Sequence, residues 1–548
     1  MKRRLAATLL AALAPACPLW AQPAAGTAFA AIAYHDVVDR REDRTEDAVT
    51  TQSLVEMFDW LKAEGWTPVS LAAVRAAGQG GPPLPDKAVL LSFDDGLQSF
   101  HDRVYPLLLA YRYPAVLALV TSWMDVPAGG TVDYGGRPLP RSRFLSWESV
   151  RRMQESGLVE IASHSHDLHR VVKSTPQGNS GPAARSWEIV APTGDRESDA
   201  AHRARIRADL ERSAARIAAE TGRRPRVIVW PFGRFSGPAA EEARAAGFDQ
   251  ALTLEPEMAD ARSPMALHRY YPTQDPSLGV VAWNLGFPPR RAETVRLACV
   301  DIAPLAGQSA EESDRRLGQL IEQVRALGPT GVVLDLVGPG DSAGAWLPTA
   351  ALPLAEDIFG RAARQLGVRA GVQVFARLPM DRADRLGDAA LMQLAADAAR
   401  VAPIDGLLIA DSASTAAPPA VPPSPAEIRA ARAQQESRAA RLFAPAAAID
   451  PRLRLITAGA GGPPADADRR AVTDSPDPAV IRASGWLSPT SGGRVVLPLR
   501  GGSAAEQARA LRDAQRTGAT AFLACPWNPA GISVLAPAFS AATFPHRP

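Results

Sequence analysis

The stretch AVLLSFDDG, Ala88 to Gly96, runs six mostly apolar residues into two carboxylates and a glycine. An unbroken apolar run of this length, closed by a turn signal, reads as a strand buried on both faces, the kind found in parallel sheets. The same order recurs on either side, in AFAAIAYHD upstream and in PAVLALVTSW, LVEIASHSHD, RVIVWPFG and DQALTLE downstream. Amphipathic stretches lie between them: SLVEMFDWLKAEG, ESVRRMQESG and RARIRADLERSAARIAAETG, the last ending at Gly222 as a helix C-terminus should. Strands alternating with helices call for a parallel sheet covered by helices, either a barrel or a doubly wound sheet. The polar residues follow the apolar runs, so they fall at carboxyl ends of strands, where barrels of this class build their sites.

A second alternation opens at VRLACVDI and continues through RRLGQLIEQVRALG, GVVLDLVG, RAGVQVFARL, DGLLIADS, LRLITAG, GRVVLPLRGG and TAFLACPW. Its size, about 250 residues, and its rhythm are those of a (β/α)8 barrel. The fold class expected is therefore α/β with two barrel-type domains, residues 22–284 and 295–548, joined by the Pro-containing linker 285–294 (LGFPPRRAET). Cys299 and Cys525 sit in the first and last strand-like runs of the second unit. Closure of a barrel would make those strands neighbours and bring the thiols close; the reading favours two buried, reduced cysteines over a disulfide.

Charge and ends narrow the classes. Sixty Lys and Arg against 58 Asp and Glu leave a net charge of +2, too balanced for a protein that binds by neutralising phosphates, so nucleic acid is not expected as a partner. Three cysteines in 548 residues exclude a disulfide scaffold. Residues 1–21, within MKRRLAATLLAALAPACPLWAQP, have the basic start, short apolar run and small residues of a secretory signal peptide. This predicts a periplasmic protein, anchored to the outer membrane if Cys17 carries lipid. No later segment reaches the roughly 20 apolar residues of a transmembrane helix.

In His164-Ser-His-Asp-Leu-His169, three of the eight histidines fall within six residues. A divalent metal wants neutral imidazoles and a carboxylate, and three protein ligands with positions left for water make a hydrolytic site rather than a structural one. Phe93-Asp94-Asp95-Gly96 alone would be a turn with solvated acids. Together with the histidines and Trp230-Pro231-Phe232-Gly233, in this order and at these strand ends, it resembles the polysaccharide deacetylases of carbohydrate esterase family 4. Most members space their histidines as H-[ST]-x-x-H, which would fall on Leu168. The spacing His164 to His169 is similar to the branch that deacetylates poly-β-1,6-N-acetyl-D-glucosamine during biofilm export, as are AYHDV, GWTPVS at 65–70 and the PQGN loop.

The resemblance implies a distorted deacetylase barrel in the first half and a metal-dependent polysaccharide N-deacetylase activity. It implies Asp95, His164 and His169 as ligands of a divalent ion (zinc, nickel, cobalt or iron(II)), Asp94 as base, and Pro231 and Phe232 lining the acetyl pocket, with the Phe232 N–H at the oxyanion. His35 is the candidate acid for the departing amine, with His268 as its rival; His101 and His166 are expected in supporting roles. Chitin oligomers or peptidoglycan are alternative substrates, and a non-catalytic carbohydrate-binding export factor is the alternative of another class.

The resemblance continues into the second half, where relatives carry a glycoside-hydrolase-like barrel with an acidic signature similar to F-H-D-D-A. Here the chain reads Ile409-Ala410-Asp411-Ser412-Ala413, with one carboxylate. Glycoside cleavage ordinarily needs two. Asp301 and Asp335, also at strand ends, are candidates for the second or for binding cationic glucosamine, and binding by Asp301 and Asp411 is expected over cleavage. Trp346, Trp486 and Trp527 are candidate sugar-stacking faces. A monomer is expected, with the N-acetylglucosamine polymer and an outer-membrane export pore as partners.

Overall fold

The structure, a computed structural model, describes residues 26–540 except 44, 46, 191–192, 287–294, 341–342, 411–424, 459–493, 496, 500–502, 517–520 and 526–528. The signal segment with Cys17, most of the linker, Asp411, Trp486 and Trp527 lie outside the described residues.

Six parallel strands form the first sheet: β1 (Ala28–Tyr34), β2 (Ala88–Phe93), β3 (Ala115–Leu119), β4 (Val159–Ser163), β5 (Val227–Val229) and β6 (Gln250–Leu252), adjacent in sequence order. Every residue of β2, β3, β5 and β6 is buried, which is why these runs lack the alternation of a one-sided sheet. Thr67–Pro68 lies beside β2, and Ala259–Asp260 pairs antiparallel with the start of β1.

The space between β6 and β1 is closed by residues 267–270, which belong to neither strand. Leu267 exchanges backbone hydrogen bonds with Ala251 and Thr253 on one side, and Tyr270 with Ala31 and Ala33 on the other, all at 2.8–2.9 Å. The sheet thus closes into a barrel through a short irregular segment, the distortion expected from the family resemblance. That segment, LHRY, carries the two polar residues His268 and Arg269, and its apolar signal is too short to read as a strand.

The second sheet is all parallel. Its strands are β7 (Val295–Val300), β8 (Gly331–Asp335), β9 (Gln373–Arg377), β10 (Gly406–Ala410), β11 (Arg454–Ala458), β12 (Arg494–Val495), β13 (Leu497–Leu499) and β14 (Ala521–Ala524), paired in the order β12-β11-β10-β9-β8-β7-β14-β13. Its two outermost strands, β12 and β13, are separated in the chain by residue 496 alone, so the path returns to the stretch from which it started. First and last strands, β7 and β14, are therefore neighbours, as closure requires. Cys299 and Cys525 meet across this pair as a disulfide with Cα atoms 5.0 Å apart. This corrects the expectation of two reduced thiols: adjacency of the strands places the side chains within bonding reach. Trp346 is also corrected as a sugar platform, because it is buried in the core between the second sheet and its helices.

The two halves touch through the loop that follows the histidine cluster. Asn179 Nδ2 donates to Gly360 O at 2.9 Å, and Gln177 Nε2 to Asp357 Oδ2 at 2.7 Å. Arg185 reaches Ala399 O at 3.0 Å and Asp450 at 3.1 Å, and Arg400 forks onto Asp199. Gly237 approaches the second half so closely that a Cβ there would stand 1.8 Å from Ala448 O.

Candidate metal centre

Beyond the end of β2, Asp95 (φ 73°) and Gly96 (φ 69°) are both left-handed, so the chain bends sharply and turns two successive carboxylates into one barrel mouth. Asp tolerates this conformation better than most side chains, and Gly96 is needed because a Cβ there would meet Leu119 Cδ2 at 2.9 Å. His164 leaves β4 with its Nδ1 2.6 Å from Val229 O. A carbonyl can only accept, so Nδ1 carries the proton and Nε2 turns its lone pair into the mouth. Ser165, also left-handed, starts the loop. The Asp209 carboxylate accepts the N–H groups of His166 and Asp167, and Ser165 Oγ accepts that of Leu168. Leu168 is buried with Val172, Ile206 and Trp230, so the position at which most members place their second histidine is occupied by a core residue here, and His169 is the next to point inward.

The Nε2 atoms of His164 and His169 both lie 3.4 Å from Asp95 Oδ1, and the ligand atoms of the three residues fall within 4.8 Å of one another. Asp95 Oδ1 is buried without a hydrogen-bond partner, whereas Oδ2 accepts the Tyr134 hydroxyl at 2.6 Å. Burial pushes the His169 imidazole down to about 4, keeping it neutral. Burial opposes ionisation of Asp95, but the imidazoles of His164, His169 and His35 around it outweigh that and hold its carboxyl well below the usual range. One anionic oxygen without a partner and two imidazole nitrogens converging on it fit a divalent cation with positions left for water and substrate.

Asp94, beside it, is also buried. Arg269 grips both of its oxygens, Nη1 to Oδ1 at 2.8 Å and Nη2 to Oδ2 at 2.9 Å, while Nη1 also donates to Ser92 Oγ and Nε to Thr253 O. Burial would raise the Asp94 carboxyl; the guanidinium outweighs it and holds the group low. Sequence reasoning passed over Arg269. Its neighbours in ALHRYYP give no signal of this pairing, because Asp94 lies 175 positions away. His35 Nε2 is 4.0 Å from Asp94 Oδ2, with its ring packed on Tyr271. His268 instead meets Thr253 Oγ1, so the structure brings His35 rather than its rival to the carboxylate. His101 pairs with Asp102 at the surface, and His166 with Thr121. Pro231 is buried, while Phe232, left-handed at φ 58° and 38% exposed, sets its ring 4.4 Å from that of His169.

Residues 81–251, which include Asp94, Asp95, His164, His169 and the Trp230–Gly233 turn, match the polysaccharide deacetylase family model. The solved deacetylase domain of BpsB from Bordetella bronchiseptica is 37% identical, and the match covers 45% of this chain and 97% of that one with a TM-score of 0.41. Residues 81–251 therefore form a polysaccharide deacetylase domain. A de-N-acetylase of Aggregatibacter actinomycetemcomitans is 34% identical, covering 47% of this chain and 99% of that one with a TM-score of 0.45. The poly-β-1,6-N-acetyl-D-glucosamine N-deacetylase of Escherichia coli K12 is 35% identical over 363 residues, 66% of this chain and 54% of that protein. The chain thus spans about half the length of that relative. Its residues 300–395 match a second model, hypothetical glycosyl hydrolase family 13.

In that second half, Asp301 and Asp335 stand at the ends of β7 and β8 and line a cavity of about 890 Å³ with the disulfide and Arg377. Asp301 accepts the Ala303 N–H at 2.9 Å. Asp335 is gripped through both oxygens by Arg377, whose Nη1 also lies 3.1 Å from Cys525 Sγ.

Proposed function

We propose that the chain is a divalent-metal-dependent N-deacetylase of a β-1,6-linked N-acetylglucosamine polymer, working in the periplasm. The observation that carries this reading is the meeting of Asp95, His164 and His169 around one buried, unpartnered oxygen, with Asp94 next to it in the same barrel mouth. The identity to the Escherichia coli enzyme named for that polymer supports the choice of substrate.

Asp95 Oδ1 and the Nε2 atoms of His164 and His169 would hold the ion, zinc, nickel, cobalt or iron(II). When bound, the ion would polarise the acetamide carbonyl and acidify the attacking water. Asp94 takes the proton from that water. Arg269 keeps Asp94 ionised and aimed, at a cost in its basicity. By the family resemblance, the Phe232 N–H would stabilise the developing oxyanion. His35, on the other side of Asp94, gives a proton to the departing amine.

In the second barrel, the neutralisation of Asp335 by Arg377 favours binding of the partly deacetylated polymer over cleavage, with Asp301 and Asp411 as the contacts. The signal-like start and the disulfide, a bond of oxidising compartments, support export to the periplasm, with outer-membrane attachment if Cys17 is lipidated. An outer-membrane pore for the polymer and a monomeric state complete the proposal.

Acetate release by the metal-reconstituted protein tests it, compared across the β-1,6 polymer, chitin oligomers and peptidoglycan. Release from the β-1,6 polymer, abolished in Asp94→Asn with metal still bound, is the expected result. Release only from another glycan would move the substrate, and turnover retained in Asp94→Asn would remove the assigned base.

A further inference from the structure

Thr131–Tyr134 and Arg137–Pro140 form an antiparallel hairpin turned by Gly135 and Gly136, both at positive φ, the tight turn that suits two-residue hairpins. Val132 and Tyr134, two residues apart, share one face. Val132 is buried with Leu97, Val120, Trp123 and Phe144 and so presses the hairpin onto the barrel. Arg141, just beyond, donates to four backbone carbonyls, those of Met124, Val126, Phe144 and Leu145, at 2.9–3.2 Å. The hairpin is held at both its face and its base.

From this support the Tyr134 ring packs 5.5 Å from Trp123, which itself lies 4.8 Å from His169, and its hydroxyl reaches Asp95 Oδ2. We propose that Tyr134 is a positioning residue for the metal centre: it occupies one oxygen of Asp95 so that the carboxylate offers the ion only the other. This inference rests on the metal-centre reading above.

The reasoning is one of counting acceptors. An ionised carboxylate only accepts, so the phenol is the donor, and a 2.6 Å bond to Oδ2 keeps that oxygen turned away from the imidazoles. Oδ1 is the atom left facing both Nε2 nitrogens. Gripped through both oxygens, an ion would lose one of the positions that water and the substrate carbonyl need. Partners that orient a ligand in this way typically contribute about 10- to 100-fold to metal affinity.

Tyr134→Phe removes the hydroxyl and keeps the ring. Zinc affinity is measured by chelator competition, the visible spectrum with cobalt(II) reports ligand geometry, and the melting midpoint is taken on metal-free protein. The expected result is one ion per wild-type chain, binding about 10- to 100-fold weaker in Tyr134→Phe with an altered cobalt spectrum, together with a metal-free midpoint lowered because Asp95 Oδ2 is left unpaired. Equal affinity and an identical spectrum would overturn the role of Tyr134 and leave the metal centre standing. A lowered metal-free midpoint with affinity and spectrum unchanged would likewise overturn it, by making the hydroxyl a folding contact only. Wild type that takes up no stoichiometric zinc or cobalt would overturn the metal-centre reading itself.

Discussion

At the scale of single residues, the site is organised by one buried arginine. Arg269 is fully buried, and its charge is compensated by Asp94 in a two-pronged pair. Removing one partner of such a pair leaves the other as an uncompensated buried charge, at a cost of about 3–5 kcal/mol. Arg269→Gln is therefore expected to lower the thermal midpoint and to let burial raise the Asp94 carboxyl, so that the acid limb of the acetate-release profile moves to higher pH. The sign follows from the depressed group: Asp94's contribution to stability is present above its unfolded value and lost as pH falls. A melt and a pH profile of the variant check both halves, and an unmoved acid limb would detach Arg269 from the base. Asp94, Asp95, His164 and His169 could be singled out in the sequence because the histidine cluster is a local signal and the order of the motifs resembles that of a known family. Arg269 could not, since a lone arginine 175 positions from its partner announces nothing until the barrel closes.

Elements settle which polar groups are chemistry and which are packing. Ser236, His202 and Glu197 line up with Ser236 Oγ 2.9 Å from His202 Nε2 and Nδ1 3.1 Å from Glu197 Oε1, an arrangement that resembles a hydrolytic triad. All three side chains are buried, and His202 stacks on Trp187 at 4.1 Å, so no substrate reaches them. The serine caps the helix Gly237–Ala245 through the Ala239 N–H, and His202 stands on the helix Asp199–Thr221, so the network joins two helices. Ser236→Ala is expected to lose about 1–3 kcal/mol by removing the cap and leaving His202 Nε2 unpaired, while the folded protein releases acetate unchanged. Burial would raise the Glu197 carboxyl, but hydrogen bonds from His202 and Arg205 outweigh it and hold it at about 2. Its contribution is thus complete above the ordinary carboxylate value and is lost as pH falls toward 2, which denaturation from pH 7 to pH 2 in wild type and Glu197→Gln would register. Strands buried on both faces were readable as apolar runs. The closing segment 267–270 was not, because its backbone bonds are made by Leu267 and Tyr270 alone, with two polar residues between them.

For the whole molecule, the question is what keeps two barrels in one arrangement. The loop after His169 is hydrogen-bonded to the second barrel through Gln177 and Asn179, and Gly237 seats against Ala448, so the two halves are joined at two places. That half is itself fastened at its seam. Cys299 and Cys525 are 226 positions apart, and the bond between them encloses nearly the entire second barrel. Sequence reasoning reached their proximity from barrel closure alone; whether neighbouring thiols are joined depends on side-chain approach, which no residue pattern encodes. A cross-link over so long a loop removes much freedom from the unfolded chain, typically about 2–5 kcal/mol of stability. The double variant Cys299→Ala/Cys525→Ala is expected to unfold its second barrel at lower denaturant concentration by that amount, and reductant should shift the wild type in the same direction and the variant not at all. Alkylation of unreduced, denatured wild type should label neither Cys299 nor Cys525, and labelling of both would remove the clasp. Zinc uptake at Asp95, His164 and His169 should persist in the double variant, because the seam lies in the other barrel and none of the three ligands rests on it.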